Sequence, residues 1–360
     1  MNVCFVISSL RQGGAERVVS LIANELTQIN NFSVNIITVN KAMPAYALSS
    51  SVTLHDLQVR NNKTLPLNSI ERVFKTTKKI REIKPDIIIS FMTATNCETI
   101  IASKIVRKPL IISERSNPYF SCVNIFWKAW RRIGYPFVDR LVCQTQGSKD
   151  FYSWVKRTTV IFNPVRNIKT QLCTNKKEPF ILAVGSLKPE KGFDLLIKAF
   201  ALAVTNNKTL NWKLIIVGEG SERSNLEKLI VDLRLESKVA LPGASKNVDD
   251  YYSTASIFAL SSKYEGMPNV LVEALSCGLP CISFDCDYGP SEVLANESGV
   301  LIENGNVYAF SSKLEELMAE PQIRRLLSQR AKKRAKAFHL TSITHQWIHL
   351  INEIVKYGKK

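Results

Sequence analysis

The stretch Y-E-G-M-P-N-V-L-V-E-A-L-S-C-G-L-P, residues 264–280, places seven residues between two glutamates, Glu265 and Glu273. The apolar run 255–260 predicts a buried strand, and apolar residues at helical spacing after the turn predict a helix ended by Gly-Leu-Pro. Glu265 is therefore expected on a strand-to-helix loop, with Glu273 about two turns further along. A helix N-terminus suits a phosphate, and carboxylates accept hydrogen bonds from sugar hydroxyls. The stretch predicts a site for a ligand that carries both groups.

This stretch resembles the E-x7-E signature of glycosyltransferase family 4, whose members are retaining enzymes of the GT-B fold. The resemblance implies an α/β architecture of two doubly wound, Rossmann-like domains that face each other across a cleft. It also implies that Glu265 lies near the donor sugar as a catalytic residue and that Glu273 binds the ribose of the nucleotide. The turn that would hold sugar and diphosphate is Gly266, Met267, Pro268 and Asn269. Two surface glutamates on one helix are the alternative, which the complete string makes less favourable.

Length and composition set the broad class of protein. A chain of 360 residues predicts two domains, and 45% apolar with 22% charged residues is an ordinary globular balance. No apolar run has the length of a membrane-spanning helix, and the first residues read as a strand rather than a signal peptide. The eight cysteines form no C-x-x-C, which favours reduced thiols in a cytoplasmic protein. A zinc site at Cys277, Cys281 and Cys286 is disfavoured because no His or fourth thiol lies nearby.

The net charge of +17 is distributed unevenly. Residues 1–170 hold 24 Lys and Arg against 10 Asp and Glu, and residues 321–360 hold 10 against 1. The residues between them are mildly acidic. This asymmetry predicts that the first half of the chain meets an anionic partner.

A glycine-rich turn follows the first predicted strand. G-G-A-E-R, residues 13–17, links the apolar run 3–7 to a helix, an arrangement that lets backbone approach a phosphate. A nicotinamide fingerprint is not supported, because G-x-G-x-x-G is missing. The string is similar to the first loop of family 4 enzymes, which faces the cleft. The resemblance implies that Gly14 contacts the donor. It also implies that three neighbouring residues are candidates for the cleft or the acceptor site: Gly13, Glu16 and Arg17. A plain helix start is the alternative.

Strands and helices then alternate through the first half. Apolar runs at 34–39, 87–91, 110–113, 141–143 and 160–162 predict strands, and 70–83 and 95–106 predict helices. This alternation predicts βαβ units and a mainly parallel sheet, with ligands beyond the carboxyl ends of the strands.

The string S-E-R-S-N-P, residues 113–118, lies at one such strand end. Glu114 and Arg115 are therefore further candidates for the cleft. Many family 4 enzymes have a histidine near here, so a histidine-assisted mechanism does not carry over to this chain.

Residues 120–135 mix aromatic and basic side chains. Trp127, Trp130 and Tyr135 alternate with Lys128 and two arginines. Such a run is typical of an interfacial helix that seats tryptophans at lipid headgroups, or of an ordinary amphipathic helix packed on a sheet.

The string N-P-V, residues 163–165, resembles the family's linker and predicts the domain boundary. Residues 1–164 then form an acceptor-binding domain and residues 165–340 a nucleotide-sugar-binding domain. The family's fold implies that the last helix, 341–360, packs back on the first domain.

Three further stretches of the second half resemble donor-binding loops. Lys191 matches a lysine that pairs with donor phosphates and is the second catalytic candidate, while Ser186 stands where the family usually has an arginine. Arg17 and Arg115 are candidates to replace that missing cation. Gly218 opens another loop expected at the donor, and Pro242 with Gly243 lies in a stretch similar to one that pairs with the base.

Asp285-Cys286-Asp287 superficially matches the D-x-D metal motif of a different glycosyltransferase fold. The surrounding D-C-D-Y-G-P-S-E instead resembles a family 4 stretch that binds no metal. No metal or other cofactor is therefore expected, since the nucleotide-sugar is a substrate.

The resemblance implies a retaining transferase that moves a sugar from a UDP-hexose or UDP-N-acetylhexosamine, such as UDP-GalNAc, to a lipid-linked glycan in bacterial polysaccharide synthesis. Its expected place is the cytoplasmic face of an anionic membrane. A sugar-nucleotide epimerase of the same fold is the alternative enzyme. A nucleic-acid-binding protein, which the charge alone would allow, is disfavoured because the sequence has no nucleic-acid-binding motif.

Overall fold

A computed structural model describes residues 1–41, 43–59, 67–119, 125–166, 168, 177–204, 211–245 and 247–357. The chain forms two compact units. Unit 1 consists of Met1–Pro164 and Leu340–Lys360, and unit 2 of Val165–His339.

Unit 1 is built on a seven-stranded sheet with the order β3-β2-β1-β4-β5-β6-β7. Its strands are β1 Asn2–Ile7, β2 Ser33–Thr38, β3 Val52–Asp56, β4 Ile87–Phe91, β5 Leu110–Glu114, β6 Arg140–Cys143 and β7 Thr158–Val160. Every pairing is parallel. The strand order reverses between β1 and β4, where doubly wound sheets open a binding crevice.

Helices connect the strands of unit 1. They are α1 Gly14–Thr27, α2 Leu67–Ile83, α3 Thr93–Val106, α4 Ile125–Gly134 and α5 Gln146–Phe151. Helix α1 buries Val18, Val19, Ile22 and Leu26 on one face, the helical spacing expected of an amphipathic segment. Burying an aliphatic side chain of this size stabilises a fold by roughly 1.5–3 kcal/mol.

Unit 2 has a six-stranded parallel sheet with the order β10-β9-β8-β11-β12-β13. Its strands are β8 Phe180–Val184, β9 Lys213–Val217, β10 Val239–Gly243, β11 Ile257–Leu260, β12 Cys281–Asp285 and β13 Val300–Glu303. The helices are α6 Phe193–Ala203, α7 Arg223–Asp232, α8 Val248–Thr254, α9 Asn269–Ser276, α10 Pro290–Val293, α11 Val307–Ala319 and α12 Pro321–Ala335. Here the order reverses between β8 and β11.

The last helix, α13 Leu340–Tyr357, belongs to unit 1 and packs against α1. Its Ile343, Trp347 and Ile351 are fully buried, and the Trp347 ring lies 6.1 Å from that of Phe91 on β4. The core of unit 1 is therefore completed by a segment from the other end of the chain.

Two strands, β3 and β13, were not predicted from the sequence. Both lie at the edge of a sheet and mix exposed with buried positions, so neither forms the apolar run that marks a buried strand. Strand β7 ends at Val160, whereas its expected range was 160–162. In the part of the chain that the structure describes, no helix has both the length and the apolarity to cross a bilayer.

Candidate functional site

The carboxyl ends of β8 and β11 bring two predicted catalytic residues together. Lys191 Nζ lies 2.6 Å from Glu265 Oε1, and the Ser262 hydroxyl donates to the same oxygen at 2.7 Å. The side chain of Glu265 is 10% exposed and that of Lys191 is 24% exposed. The pair can therefore be reached from solvent while its surroundings are mostly protein.

Backbone contacts hold the two loops in this arrangement. The Ser261 hydroxyl donates to Lys191 O at 2.9 Å, and Lys263 N donates to Glu190 O at 2.8 Å. Gly192 has a φ of +61°, and a Cβ there would lie 2.2 Å from Ser261 O. Only glycine fits both the left-handed conformation and this close approach.

The turn before α9 packs on the glycine of the D-C-D-Y-G-P-S-E stretch. Gly289 has a φ of +108°, and a Cβ there would lie 2.7 Å from Pro268 Cδ and 3.2 Å from Gly266 O. Met267 and Pro268 are buried, while Gly266 and Asn269 are partly exposed. This packing fixes the turn at the start of α9, where first-turn amides and the positive dipole end meet.

The same stretch contains a buried thiol and two exposed carboxylates. Asp285 and Asp287 are exposed, and among the described residues no cluster of three or more His, Cys, Asp or Glu could hold a metal. Burial, and then the charge of Glu265, raise the pKa of the Cys286 thiol to about 12. Cys286 is thus neutral and unreactive at physiological pH.

Glu273 lies in the middle of α9 and is only 3% exposed. Its carboxylate Oε1 accepts a hydrogen bond from Arg166 Nε at 3.1 Å, and Arg166 Nη2 also donates to Asp249. Sequence reasoning missed Arg166, which stands directly after the linker turn without a motif around it. It also missed Ser261 and Ser262, whose role depends on how two loops meet.

Three glycines bring the loops after β8, β9 and β10 into contact. Gly218 has a φ of +158°, and a Cβ there would lie 1.8 Å from Gly185 O. Gly218 N donates to Gly243 O at 3.0 Å. Exposed Pro242 and buried Gly243, which were predicted to contact the base, thereby lie near the loop after β8, in which Ser186 is exposed.

The first loop of unit 1 folds around its own glutamate. A Cβ on Gly13 would lie 2.2 Å from Glu16 Oε2, and the Tyr46 hydroxyl donates to Gly13 O at 3.0 Å. Gly14 begins α1. Burial raises the pKa of Glu16, and the Arg17 guanidinium lies 5.6 Å from the centre of the Tyr46 ring. All four predicted residues, Gly13, Gly14, Glu16 and Arg17, are therefore close to one another at the carboxyl end of β1.

Glu114 is the last residue of β5, as predicted, and its side chain lies in the interior of unit 1. It is 1% exposed and accepts hydrogen bonds from Thr93 Oγ1 at 3.0 Å, Asn96 Nδ2 at 3.1 Å and the Tyr135 hydroxyl. Burial raises the pKa of Glu114. Glu114 was a candidate for the cleft, and in the structure three donors of unit 1 bind its buried carboxylate.

Arg115 is also engaged by its own unit. Its Nη1 donates to Asn163 Oδ1 at 2.7 Å and to Ile161 O at 3.2 Å. The guanidinium lies 5.5 Å from the Phe91 ring centre and 5.7 Å from that of Trp347. Burial lowers its pKa to about 10, which still leaves it charged at neutral pH.

Helix α4 presents different residues to solvent from those expected. Trp127 is 8% exposed, and Trp130 Nε1 donates to Cys97 O at 3.2 Å, so both tryptophans pack inward. Ile125 and Phe126 are 84% and 50% exposed. The prediction that Trp127 and Trp130 seat at headgroups was wrong in orientation; Phe120 lies outside the described residues.

Two family models match consecutive parts of the chain. The model described as Glycosyltransferase Family 4 matches residues 12–166, and the one described as Glycosyl transferases group 1 matches residues 165–334. The two models meet at the boundary between units 1 and 2.

Similar proteins are found among bacterial glycosyltransferases. The GalNAc-alpha-(1->4)-GalNAc-alpha-(1->3)-diNAcBac-PP-undecaprenol alpha-1,4-N-acetyl-D-galactosaminyltransferase of Campylobacter jejuni is 32% identical, over 98% of this chain and 99% of its own. The amylovoran biosynthesis glycosyltransferase AmsD of Erwinia amylovora is 27% identical, over 94% and 96%.

The fold has a solved counterpart in Anabaena Alr3699/HepE in complex with UDP. That structure aligns with a TM-score of 0.80 at 19% identity and covers 98% of this chain and 100% of its own. The family models, the relatives and the shared fold of two parallel Rossmann-like sheets converge on one conclusion: this chain belongs to glycosyltransferase family 4 and is a sugar-transferring enzyme of the GT-B fold.

Proposed function

We propose that the protein is a retaining transferase for a UDP-hexose or UDP-N-acetylhexosamine such as UDP-GalNAc. The acceptor is a glycan carried on a polyprenyl diphosphate during assembly of a bacterial polysaccharide. The observation that carries this proposal is the 2.6 Å contact between Lys191 and Glu265 beside the start of α9.

Unit 2 offers a complementary group for each part of such a donor. Lys191 and the first-turn amides of α9 suit the diphosphate, and Glu265 suits hydroxyls of the sugar. Glu273, about one turn into α9, suits the ribose hydroxyls, and the Pro242–Gly243 backbone suits the edge of the base. The similar Anabaena structure, a complex with UDP, supports the choice of nucleotide.

The reaction requires charge stabilisation more than proton transfer by a side chain. The bond between the anomeric carbon and the phosphate oxygen breaks, and negative charge grows on the departing diphosphate. The acceptor oxygen bonds to the anomeric carbon on the same face, and its proton passes to the departing phosphate oxygen. Lys191 and the α9 amides are arranged before the reaction to stabilise the growing charge, usually the largest catalytic contribution. A metal is not needed for this step.

Lys191 is balanced by Glu265 before the donor arrives, so a second cation near the diphosphate would strengthen binding. Ser186 does not supply it. Arg17 and Arg115 stay the two predicted replacements, and Nη1 of Arg115 also donates to Asn163 Oδ1 and Ile161 O within unit 1.

The acceptor class is proposed from a relative and from the chemistry of unit 1. The Campylobacter relative is described as acting on an undecaprenol-linked diphosphate glycan. Residues 1–170 carry 24 Lys and Arg against 10 Asp and Glu, which suits a second diphosphate and the membrane that holds it. We propose that the loop from Gly13 to Arg17 contacts the acceptor.

An exposed apolar groove in unit 1 supports the proposal that the protein binds the cytoplasmic face of an anionic membrane. The groove has a volume of about 520 Å³ and lies among α2, α3 and α4. Ile70, Phe74 and Phe126 line it and are 62%, 69% and 50% exposed. The exposed cations Arg81, at the groove, and Lys128, on α4, suit anionic headgroups.

A donor panel tests the function directly. Release of nucleoside diphosphate is measured with UDP-, GDP- and ADP-sugars, with and without a polyprenyl-diphosphate glycan. Proton NMR of the product then gives the anomeric configuration. We expect UDP release that depends on acceptor, and an α-linked product from an α-linked donor. Conversion of a UDP-sugar without any acceptor would support an epimerase, and an inverted product would exclude the retaining mechanism.

A further inference from the structure

Arg166 joins two carboxylates that lie on different helices of unit 2. Its Nε donates to Glu273 Oε1 on α9 at 3.1 Å, and its Nη2 donates to Asp249 on α8. We propose that Arg166 is a positioning residue for the donor: it holds the Glu273 carboxylate in the orientation that binds the ribose, and Asp249 fixes the guanidinium for that task. This inference rests on the proposed ribose-binding role of Glu273.

The environment of Glu273 explains why such a residue is needed. Its side chain is 5% exposed, whereas Arg166 is 25% and Asp249 is 23% exposed. A carboxylate so far from water needs charged or hydrogen-bonding partners beside it. Arg166 donates to Oε1, and Tyr252 also hydrogen-bonds this carboxylate. Ribose hydroxyls need acceptors, and these two partners determine how the Glu273 carboxylate is oriented toward them.

Other titratable groups near Glu273 do not supply positive charge. The Tyr252 hydroxyl on α8 donates to Val270 O at 3.3 Å, and burial, followed by the charge of Glu273, raises the pKa of Tyr252 well above its usual value. The Tyr252 hydroxyl is therefore neutral at physiological pH. The buried Cys277 thiol follows one turn later along α9.

The shape of the guanidinium suits this role. Two of its nitrogens reach two carboxylates from a planar, rigid fork, which a lysine ammonium on a flexible stem cannot reproduce. The backbone beside Arg166 is also anchored within unit 2, because Val165 N donates to Phe338 O at 2.8 Å. The side chain therefore starts from a fixed point and ends at two fixed partners.

Binding of free nucleotide tests the proposal without an acceptor. Titration calorimetry with UDP is carried out on the full chain and on Arg166→Gln, Arg166→Lys, Asp249→Asn, Glu273→Gln and the Arg166→Gln/Glu273→Gln double variant. We expect Arg166→Gln to weaken UDP binding about tenfold or more at pH 6.5, the scale of one lost charge-assisted hydrogen bond. Asp249→Asn has a smaller effect in the same direction, and Arg166→Lys recovers part of the affinity.

Two readouts separate positioning from a general structural role. In Arg166→Lys part of the affinity returns, because a cation again lies beside Glu273, whereas in Arg166→Gln it does not. In the double variant the Arg166 change has little further effect, because it acts through Glu273. The matched control is Arg330→Gln, which removes another arginine of unit 2 that pairs with a glutamate, Glu297, at 2.7 Å.

Each outcome decides one question. UDP affinity in Arg166→Gln equal to that of the control, or additive losses in the double variant, would overturn the positioning role. If the unmodified chain ignores UDP, the same series is run with GDP and ADP. Failure of the unmodified chain to bind all three would instead overturn the proposed donor site, and the role of Arg166 with it.

Discussion

At the scale of single residues, the ion pair of Lys191 and Glu265 shapes the chemistry. A lysine whose charge is balanced by a carboxylate at 2.6 Å is held in place before the donor arrives. In the proposed reaction, Lys191 is then shared between Glu265 and a phosphate of the donor. The pair is therefore expected to act as one functional unit.

Removal of either member of the pair tests this view. We expect Glu265→Ala and Lys191→Ala each to lower turnover by roughly 100-fold or more, the scale of a lost transition-state contact. The double variant should lose much less than the product of the two losses, because residues that act as a unit are not additive. Steady-state kinetics measure this, with circular dichroism to verify folding. Near-normal kcat in both single variants would contradict the proposed site.

A second prediction at the residue scale is that the activity does not depend on a metal ion. Activity should survive EDTA, because Lys191 and backbone amides supply the positive charge at the diphosphate. Lys191→Arg should be only partly tolerated, since the two cations differ in shape and donor geometry. UDP release is measured with and without chelator. Complete loss in EDTA that manganese restores would make Asp285 and Asp287 metal ligands.

The sequence predicts part of this site and necessarily misses another part. Glu265 and Glu273 were found because their spacing is local and lies within one strand–turn–helix unit. Arg166 is separated from Glu273 by 107 positions, and only the folded chain brings them together. The surroundings of Glu114 are hidden from the sequence for a similar reason, because the donors that bind its carboxylate come from α3 and from Tyr135.

At the scale of elements, glycines determine how closely the loops of unit 2 approach. Gly192 lets the loop after β8 meet the loop after β11, and Gly218 lets the loop after β9 meet Gly185. The elements themselves were mostly predictable, since buried strands and amphipathic helices leave a period in the sequence. The edge strands β3 and β13 leave no such period in the sequence, because part of each strand faces water.

Two glycines with similar backbone angles separate crowding from backbone strain. Gly192 has a φ of +61° and no room for a Cβ, whereas Gly305 has a φ of +79° and nothing within 4 Å. We expect Gly192→Ala to cost roughly 2–4 kcal/mol of unfolding free energy and to weaken nucleotide binding. Gly305→Ala should cost only about 1 kcal/mol. Urea unfolding and UDP titration measure both, and equal effects would show that the contact with Ser261 has no special role.

At the scale of the whole molecule, charge and exposed apolar surface occur in the same unit. The positive balance of residues 1–164, with 22 Lys and Arg against 10 Asp and Glu, and the groove among α2, α3 and α4 both belong to unit 1. Composition predicted the charge, but the direction in which Trp127 and Trp130 point depends on packing against α3. The exposed apolar side chains turned out to be Ile125 and Phe126.

Membrane association is tested by sedimentation with liposomes. We expect binding to anionic vesicles at low salt, with each juxtamembrane cation contributing about 1 kcal/mol. Changing Lys78, Arg81 and Lys128 to Glu should abolish it, and changing Phe74 and Phe126 to Ser should weaken it at all salt concentrations. High salt should weaken binding of the unmodified chain, because these exposed charges are screened.

A matched control makes the same change of net charge at three exposed cations of unit 2. Lys228, Arg325 and Lys333 are exposed, and their change to Glu should leave much of the binding intact. Equal loss from both triple variants would mean that net charge alone drives association. A chain that ignores anionic vesicles would leave the groove without a role at the membrane.

Helix α13 has a consequence for the order in which the chain folds during synthesis. Unit 2 is continuous, Val165–His339, and every strand of its sheet has been made before residue 340 leaves the ribosome. Unit 1 is made first, yet its core lacks Trp347 and Ile351 until α13 appears. Because domains fold as units during translation, the half that is synthesised first is the half that is completed last. Until then its apolar face is uncovered, and a nascent chain stalled before residue 340 would be a substrate for chaperones and proteases.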